Sequence, residues 1–330
     1  MIIGLTYDLR IDYLKSGYSQ EDVAEFDSEE TINALEETIR GLGYQTDRIG
    51  NIYALTARLA AGDKWDLVFN FAEGLYGRCR ESQVPALLEA YRIGYTFSDP
   101  LVCDITLDKS FAKRIVRDAG LATPKFKVIE TLEDVRDISL HYPLFAKPLA
   151  EGTGKGIDQN SQIESPDQLR QVCENLLKRY SQPVLVEEFL PGREFTAAIL
   201  GNGQDARLLG IMEIIIPKDD KAIYSFDAKE RCEELVKYRP CPPGALYRKI
   251  ERLALDSFRV LQCRDTARVD IRCDAEGEPC FLEINPMPGL HPHHSDLPMI
   301  ATQEGMSYRD LIGTIISNAL KRLSLQTAAT

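Results

Sequence analysis

The sequence has no run approaching the roughly 20 apolar residues that a membrane-spanning helix needs, so it offers no transmembrane segment. It also has no C-x-x-C pair. Its eight cysteines, at 79, 103, 173, 232, 241, 263, 273 and 280, are scattered, so reduced structural thiols are expected and zinc is not. Basic residues are in deficit, 39 against 51 acidic. The formal net charge of -12 leaves no basic face to offset nucleic-acid phosphates. The opening MIIGLTYDLRIDYLK lacks a basic leader, a long apolar core and a small-residue cleavage site. It reads as a first buried strand rather than a signal peptide. There is no internal repeat. These absences leave a cytoplasmic protein with neither nucleic acid nor membrane as a partner.

What is present is a globular composition, 44% hydrophobic and 27% charged over 330 residues, enough for two or three units with cores of their own. The first hundred residues alternate strand-like and helix-like segments. Ile2–Thr6, Asp66–Phe71 and Ile93–Phe97 read as strands. Between them lie a helix capped by Asp27 or Ser28 and running to Gly41, and a short helix over Gln83–Tyr91. Such alternation predicts an α/β unit with a parallel sheet. The pattern changes near Ser98–Asp104. A helix from Asp108 to Gly120 follows, then strands at Phe126–Ile129 and Leu144–Lys147, a glycine-rich loop at Gly152–Gly156, a helix over Pro166–Tyr180 and a strand at Val184–Phe189. From Glu194 strands dominate, with a helix near Leu246–Leu261 and a last helix around Tyr308–Leu320, so the C-terminal half has α+β character. Residues 326–330 are expected to fray.

The most informative stretch is ARVDIRCDAEGEPCFLEINPMPG. Two strand-like runs flank Asp274–Glu278, and a turn centred on Glu276-Gly277 sets Asp270 opposite Glu283 and Arg268 opposite Asn285. Alternation then projects all four side chains to one face and sends Val269, Ile271, Leu282 and Ile284 to the other. Two carboxylates and an amide oxygen, with no thiolate or imidazole among them, suit a hard cation such as Mg2+ or Mn2+. Arg268 is placed to stabilise developing negative charge. The alternative is an ordinary hairpin with a charged, solvated face. The rigid Asn285-Pro286-Met287-Pro288-Gly289 that follows favours the first reading.

Other segments point the same way. Lys147 ends the strand PLFAK, ahead of EGTGKG, where Gly152, Gly154 and Gly156 allow backbone N–H groups close to a phosphate. The loop is neither a Walker A motif nor G-x-G-x-x-G. Lys109 opens a helix, where a lysine and the helix dipole together attract anions. Glu187 and Glu188 end an apolar strand, and Glu194 follows Pro191-Gly192-Arg193. These are acceptors suited to an adenine amino group and ribose hydroxyls.

In order and spacing, TLDKSFAKRIVRDAGLATP, FAKPLAEGTGKGI, LVEEFLPGREFT, ARVD and LEINPMPG resemble the ATP-grasp superfamily, and within it the D-alanine–D-alanine ligase family. The resemblance runs nearly end to end. It implies an ATP-grasp fold in three parts: an N-terminal parallel-sheet unit (1–100), a central subdomain with the glycine loop (101–186) and a C-terminal subdomain with the metal and oxyanion site (187–325). It also implies roles. Lys109 and Lys147 bind phosphates, covered by the loop of Gly152, Thr153, Gly154 and Gly156. Glu187, with Glu188 and Leu190, meets the adenine, and Glu194 the ribose. Lys229 serves the terminal phosphates. Asp270, Glu283 and Asn285 hold the metal, Arg268 and the Gly289 N–H form the oxyanion site, and Ser295 holds a substrate carboxylate. The implied chemistry is activation of a carboxylate by ATP as an acylphosphate, then capture by an amine, in a possible homodimer.

The departures concern the amino-acid pocket. Thr153-Gly154 stands where the family carries a serine pair, Glu230 where it carries a tyrosine, and AEFDS matches Glu-x-Val-Ser only through Glu25 and Ser28. Arg78 and Arg80 stand where the family places acidic residues, as carboxylate binders or as exposed loop arginines. His291, His293 and His294 read as substrate-loop contacts or solvated side chains. D-Alanyl-D-alanine is the default product. A ligase for a different amino acid or small acid and a non-catalytic nucleotide-binding regulator are the alternatives.

Overall fold

The computed structural model describes residues 1–215 and 236–328. Strands β1 (Ile2–Tyr7), β2 (Gln45–Gly50) and β3 (Leu67–Phe71) form a parallel sheet in the order β2-β1-β3. Around it lie α1 (Arg10–Lys15), α2 (Glu29–Gly41), α3 (Ile52–Ala60) and α4 (Gln83–Ala90). Ser28 caps α2, its hydroxyl accepting from the Thr31 N–H at 3.2 Å, and Ile32, Leu35 and Ile39 are fully buried on the inner face.

The strand expected at Ile93–Phe97 is reduced to a single bridge between Val68 and Tyr95. The chain is drawn off the sheet at Phe97 (φ 71°), whose N–H donates to the Asp265 carboxylate at 2.8 Å. Asp265 is fully buried and paired with Arg322 at 2.8 Å, so a contact with the C-terminal half ends the strand. Asp99 and Pro100 then open a helix to which the sequence reading assigned nothing, α5 (Pro100–Leu107), with Asp99 accepting from the Val102 N–H at 3.0 Å.

After α6 (Lys109–Asp118), the strands β4 (Phe126–Ile129), β5 (Leu144–Pro148), β6 (Gln162–Ile163) and β7 (Val184–Glu188) form an antiparallel sheet in the order β4-β7-β5-β6, backed by α7 (Pro166–Tyr180). A second antiparallel sheet joins β8 (Glu194–Leu200), β9 (Arg207–Ile215), β10 (Lys237–Pro240), β11 (Thr266–Cys273) and β12 (Pro279–Asn285) in the order β10-β9-β8-β11-β12. Phe195, Ala197, Val269, Ile271 and Phe281 of this sheet pack on α8 (Ala245–Val260). Two more helices, α9 (Asp296–Gln303) and α10 (Tyr308–Ala328), complete the chain, and α10 runs past the expected end at Leu320. Leu311, Ile312, Ile315 and Ile316 share one core with Ile3, Leu5 and Phe69 of the N-terminal sheet. Fully burying each such side chain is worth roughly 1.5–3 kcal/mol, so the C-terminal helix and the N-terminal unit are strongly joined. Among the described residues no helix is long and apolar enough to cross a membrane.

Candidate functional site

The hairpin end pairs as its spacing predicts, though not for the predicted reason. Arg268 lies opposite Asn285 and Asp270 opposite Glu283. Nearer the turn the partners are Ile271–Phe281, Arg272–Cys280 and Cys273–Pro279, which leaves Leu282 as an extra residue on β12. One residue of offset at the turn and one of bulge cancel before the charged end is reached. The bulge corrects the expected faces: Phe281 enters the core with Val269, Ile271 and Ile284, and Leu282 turns to a cleft between the two antiparallel sheets.

That cleft gathers Lys109 from the start of α6, Lys147 and Glu187–Leu190 from the first antiparallel sheet and its end, and Glu194, Asp270 and Glu283 from the second. Lys147 Nζ is 3.5 Å from both Glu187 Oε2 and Glu283 Oε2. Lys109 Nζ is 3.6 Å from Glu283 Oε2 and donates to the Glu151 carbonyl at 2.6 Å. Burial opposes charge on Lys147, but Glu187 and Glu283 outweigh it and hold its pKa above the usual lysine value. Burial likewise works against the Glu187 carboxylate, and Lys113 and Lys147 overcome it and hold the pKa low.

Asp270 accepts from Thr196 Oγ1 at 2.9 Å, and Asn285 Nδ2 donates to it at 3.5 Å. Arg268 grips Asp270 through Nε at 3.1 Å and Nη2 at 2.9 Å, and its Nη1 lies 3.4 Å from Asp296. Burial works against the Arg268 charge, but the two carboxylates more than restore it.

A wider cleft opens on the far side of Arg268 and is lined by Gly152, Thr153, Gly289 and Ser295. A Cβ at Gly289 would stand 2.8 Å from Ser295 Oγ, so the turn after β12 approaches this loop as only glycine permits. Ser295 precedes α9 without capping it, and its hydroxyl accepts from the His291 N–H at 2.9 Å. His291 packs on His294 at 4.6 Å between ring centres and reaches Glu30 at 3.6 Å. Among the described residues no group of three or more His, Cys, Asp or Glu side chains is placed to hold a metal.

Two expectations need correction here. Arg80 is not an exposed loop arginine. It is buried, donates to the Ala150 carbonyl at 2.9 Å and pairs with Glu25 at 3.0 Å. Arg78 is the exposed one, paired with Asp108 at 2.7 Å. The Gly152 N–H, expected to face a phosphate, instead donates to Glu25. A Cβ there would come within 2.5 Å of that carboxylate. Lys155 completes the latch, 3.5 Å from Glu25 and 3.1 Å from Glu151, so the glycine loop is tied to the N-terminal unit. Lys229 and Glu230 lie outside the described residues.

Sequence reading passed over several groups. Lys113, one turn beyond Lys109 on α6, is fully buried and 2.6 Å from Glu187 Oε1. Arg272, two residues beyond Asp270, shares its face of β11 and lines the cleft between the two antiparallel sheets. Helical spacing from Lys109 and strand alternation from Asp270 are the signals that would have found both. No local signal marked Glu73 and Glu81, and Asp27 was marked only as a helix-cap candidate; all three border the wider cleft. Burial pushes Asp27 up to about 7 against the pull of Arg10, and Glu81 up to about 7 against that of Arg80. Glu73 stands well above the usual carboxylate range through burial and the charge of Glu81.

Folded-state values above unfolded ones mean that folding takes up protons. The stability these groups contribute is complete below the unfolded carboxylate pKa of about 4 and is lost as pH rises through about 7. Asp27→Asn and Glu81→Gln are each expected to stabilise the protein by roughly 3 kcal/mol at pH 8 and to give no gain at pH 4. Thermal unfolding across that range checks this; an equal shift at both ends would refute it.

Two antiparallel sheets that grip a cleft of lysines and carboxylates, behind a parallel α/β unit, make an ATP-grasp fold. A crystal structure of D-alanine–D-alanine ligase from Bacillus anthracis complexed with ATP superposes with a TM-score of 0.76 at 23% identity, covering 99% of each chain. The family model described as D-ala D-ala ligase C-terminus matches residues 115–317. The D-alanine–D-alanine ligase of Aquifex aeolicus is 33% identical over 310 residues, 94% of this chain and 100% of that one. An uncharacterized protein, y4sG, of Sinorhizobium fredii is 36% identical over 262 residues, 78% of this chain and 75% of its own. The chain belongs to the D-alanine–D-alanine ligase family of ATP-dependent, C–N bond-forming ligases.

Proposed function

We infer that this chain binds Mg-ATP between its two antiparallel sheets and joins a small carboxylic or amino acid to an amine through an acylphosphate, with D-alanine as the default substrate. The observation that carries this is the β11–β12 register, which sets Asp270 beside Glu283 and Arg268 beside Asn285, with Lys109 and Lys147 within 3.6 Å of the Glu283 carboxylate.

The donor set of two carboxylates and an amide oxygen fits a hard divalent cation, Mg2+ or Mn2+. When bound, such an ion neutralises phosphate charge. Asp270, Glu283 and Asn285 hold it in this reading. Lys109 and Lys147 meet the phosphates, Glu187, Glu188 and Leu190 the adenine, and Glu194 the ribose. Arg268 and the Gly289 N–H stabilise the negative charge that develops on the carbonyl oxygen as the amine adds to the acylphosphate, and Ser295 holds a substrate carboxylate. Chain segments 1–100, 101–186 and 187–325 are the three working parts, and a cytoplasmic homodimer goes with this reading.

A different amino acid is the second reading, and the wider cleft supports it. Glu25 is engaged by Arg80, Lys155 and Gly152, and Asp27, Glu73 and Glu81 bring further acid to the cleft wall. Phosphate release with ATP, Mg2+ and D- and L-amino acids, singly and in pairs, separates the two. Stimulation by D-alanine alone supports the default, and stimulation only by another acid or pair supports the second. Silence across a broad panel refutes both.

A further inference from the structure

Arg272 and Glu194 stand opposite each other in the β11–β8 register, with Arg272 Nη1 3.1 Å from Glu194 Oε2. The guanidinium carbon lies 5.1 Å from the centre of the Phe189 ring, within cation–π range, and Phe189 stacks on Phe145 at 6.4 Å. An aromatic face and a carboxylate therefore fix the plane of the guanidinium from two directions. Its Nε–H is buried and has no hydrogen-bond partner among the described residues. Buried donors left in that state are rare in folded proteins. Arg272 also borders the cleft between the sheets. It is two residues along β11 from Asp270, roughly 7 Å at the strand rise, on the side away from Arg268. That offset places it beyond the phosphate end, at the reach of a ribose or base.

We propose that Arg272 is a specificity-determining residue of the nucleotide cleft, a positioning residue that holds Glu194 in place for a ribose hydroxyl. The inference rests on the Mg-ATP reading above. A planar guanidinium fixes the carboxylate it pairs with more tightly than an ammonium does, so Glu194 meets the sugar already oriented. A hydroxyl that donates to an ionised, oriented carboxylate is worth about tenfold or more in affinity.

The test is calorimetric titration of the full chain, its Arg272→Met and its Arg272→Lys variants, with Mg-ATP and Mg-2′-deoxy-ATP. The parent is expected to prefer ATP by about tenfold or more. Arg272→Met is expected to bind ATP about tenfold more weakly and to show a preference below about twofold. Arg272→Lys, with the charge but without the fork, keeps part of the preference and not the affinity. A Met variant with the parent's affinity and preference overturns the inference and leaves the ligase reading standing. So does one whose thermal midpoint falls while the preference stays. A parent that binds no Mg-ATP overturns that reading and this inference with it.

Discussion

Glu283→Gln is expected to lower turnover by about a thousandfold while leaving the fold intact. The substitution keeps the shape of the side chain and removes a charge on β12 that faces Lys109 and Lys147 and lies opposite Asp270 of β11. In the proposed chemistry that charge is half of the carboxylate pair on the divalent ion, so the loss falls on kcat and on the Mg2+ requirement. The two lysines keep other acceptors: Lys109 donates to the Glu151 carbonyl and Lys147 faces Glu187. The thermal midpoint is therefore expected to move by only a few degrees. Steady-state phosphate release at several Mg2+ concentrations is the measurement. Full activity in the variant would sink the metal-site assignment and leave the family membership untouched.

The second large effect is on stability. Lys113→Met is expected to cost about 3 kcal/mol in urea unfolding, because it breaks a fully buried ion pair and leaves Glu187 with Lys147 as its one cation among the described residues. Lys113 does more than pair. Its Nζ donates to Thr123 Oγ1 at 3.2 Å and to the Phe281 carbonyl at 3.3 Å. It therefore joins α6 and the second antiparallel sheet to Glu187 on the first. Burial lowers the Lys113 pKa more than Glu187 raises it, so this cation is costly to keep and is retained against that cost. Combining Lys113→Met with Glu187→Leu is expected to recover more than half of the loss, since a buried pair replaced by apolar groups is often close to neutral. A single variant within about 0.5 kcal/mol of the parent would show that Lys113 is no strut.

Periodicity and turn chemistry made much of the fold legible. The Ser28 cap, the apolar stripe of α2 and the parallel sheet are local or nearly local features, and a single chain segment carries the signal for each. The strand at Ile93–Phe97 failed because its end is decided by Asp265, 168 residues away from Phe97 in sequence. Helix α5 was missed although Asp99-Pro100 is a start signal, because its faces are apolar on more than one side and carry no clean stripe.

At the site, the sequence by itself determined which residue types stand in which order. The lysines, the glycine loop, the two glutamates and the carboxylate hairpin are covalent facts, and their spacing suffices to place the chain in its family. Tertiary structure decided what each group faces. The bulge at Leu282 brought the hairpin into its working register, and it is visible only once β12 is paired with β11. The latch of Glu25 with Arg80, Lys155 and Gly152 joins three segments far apart in sequence. It makes Arg80 a buried counterion of Glu25 where an exposed loop arginine was one of the two readings. The physical reason is that charge in a folded interior is settled by the nearest opposite charge. That neighbour is set by packing between segments, which local periodicity does not encode.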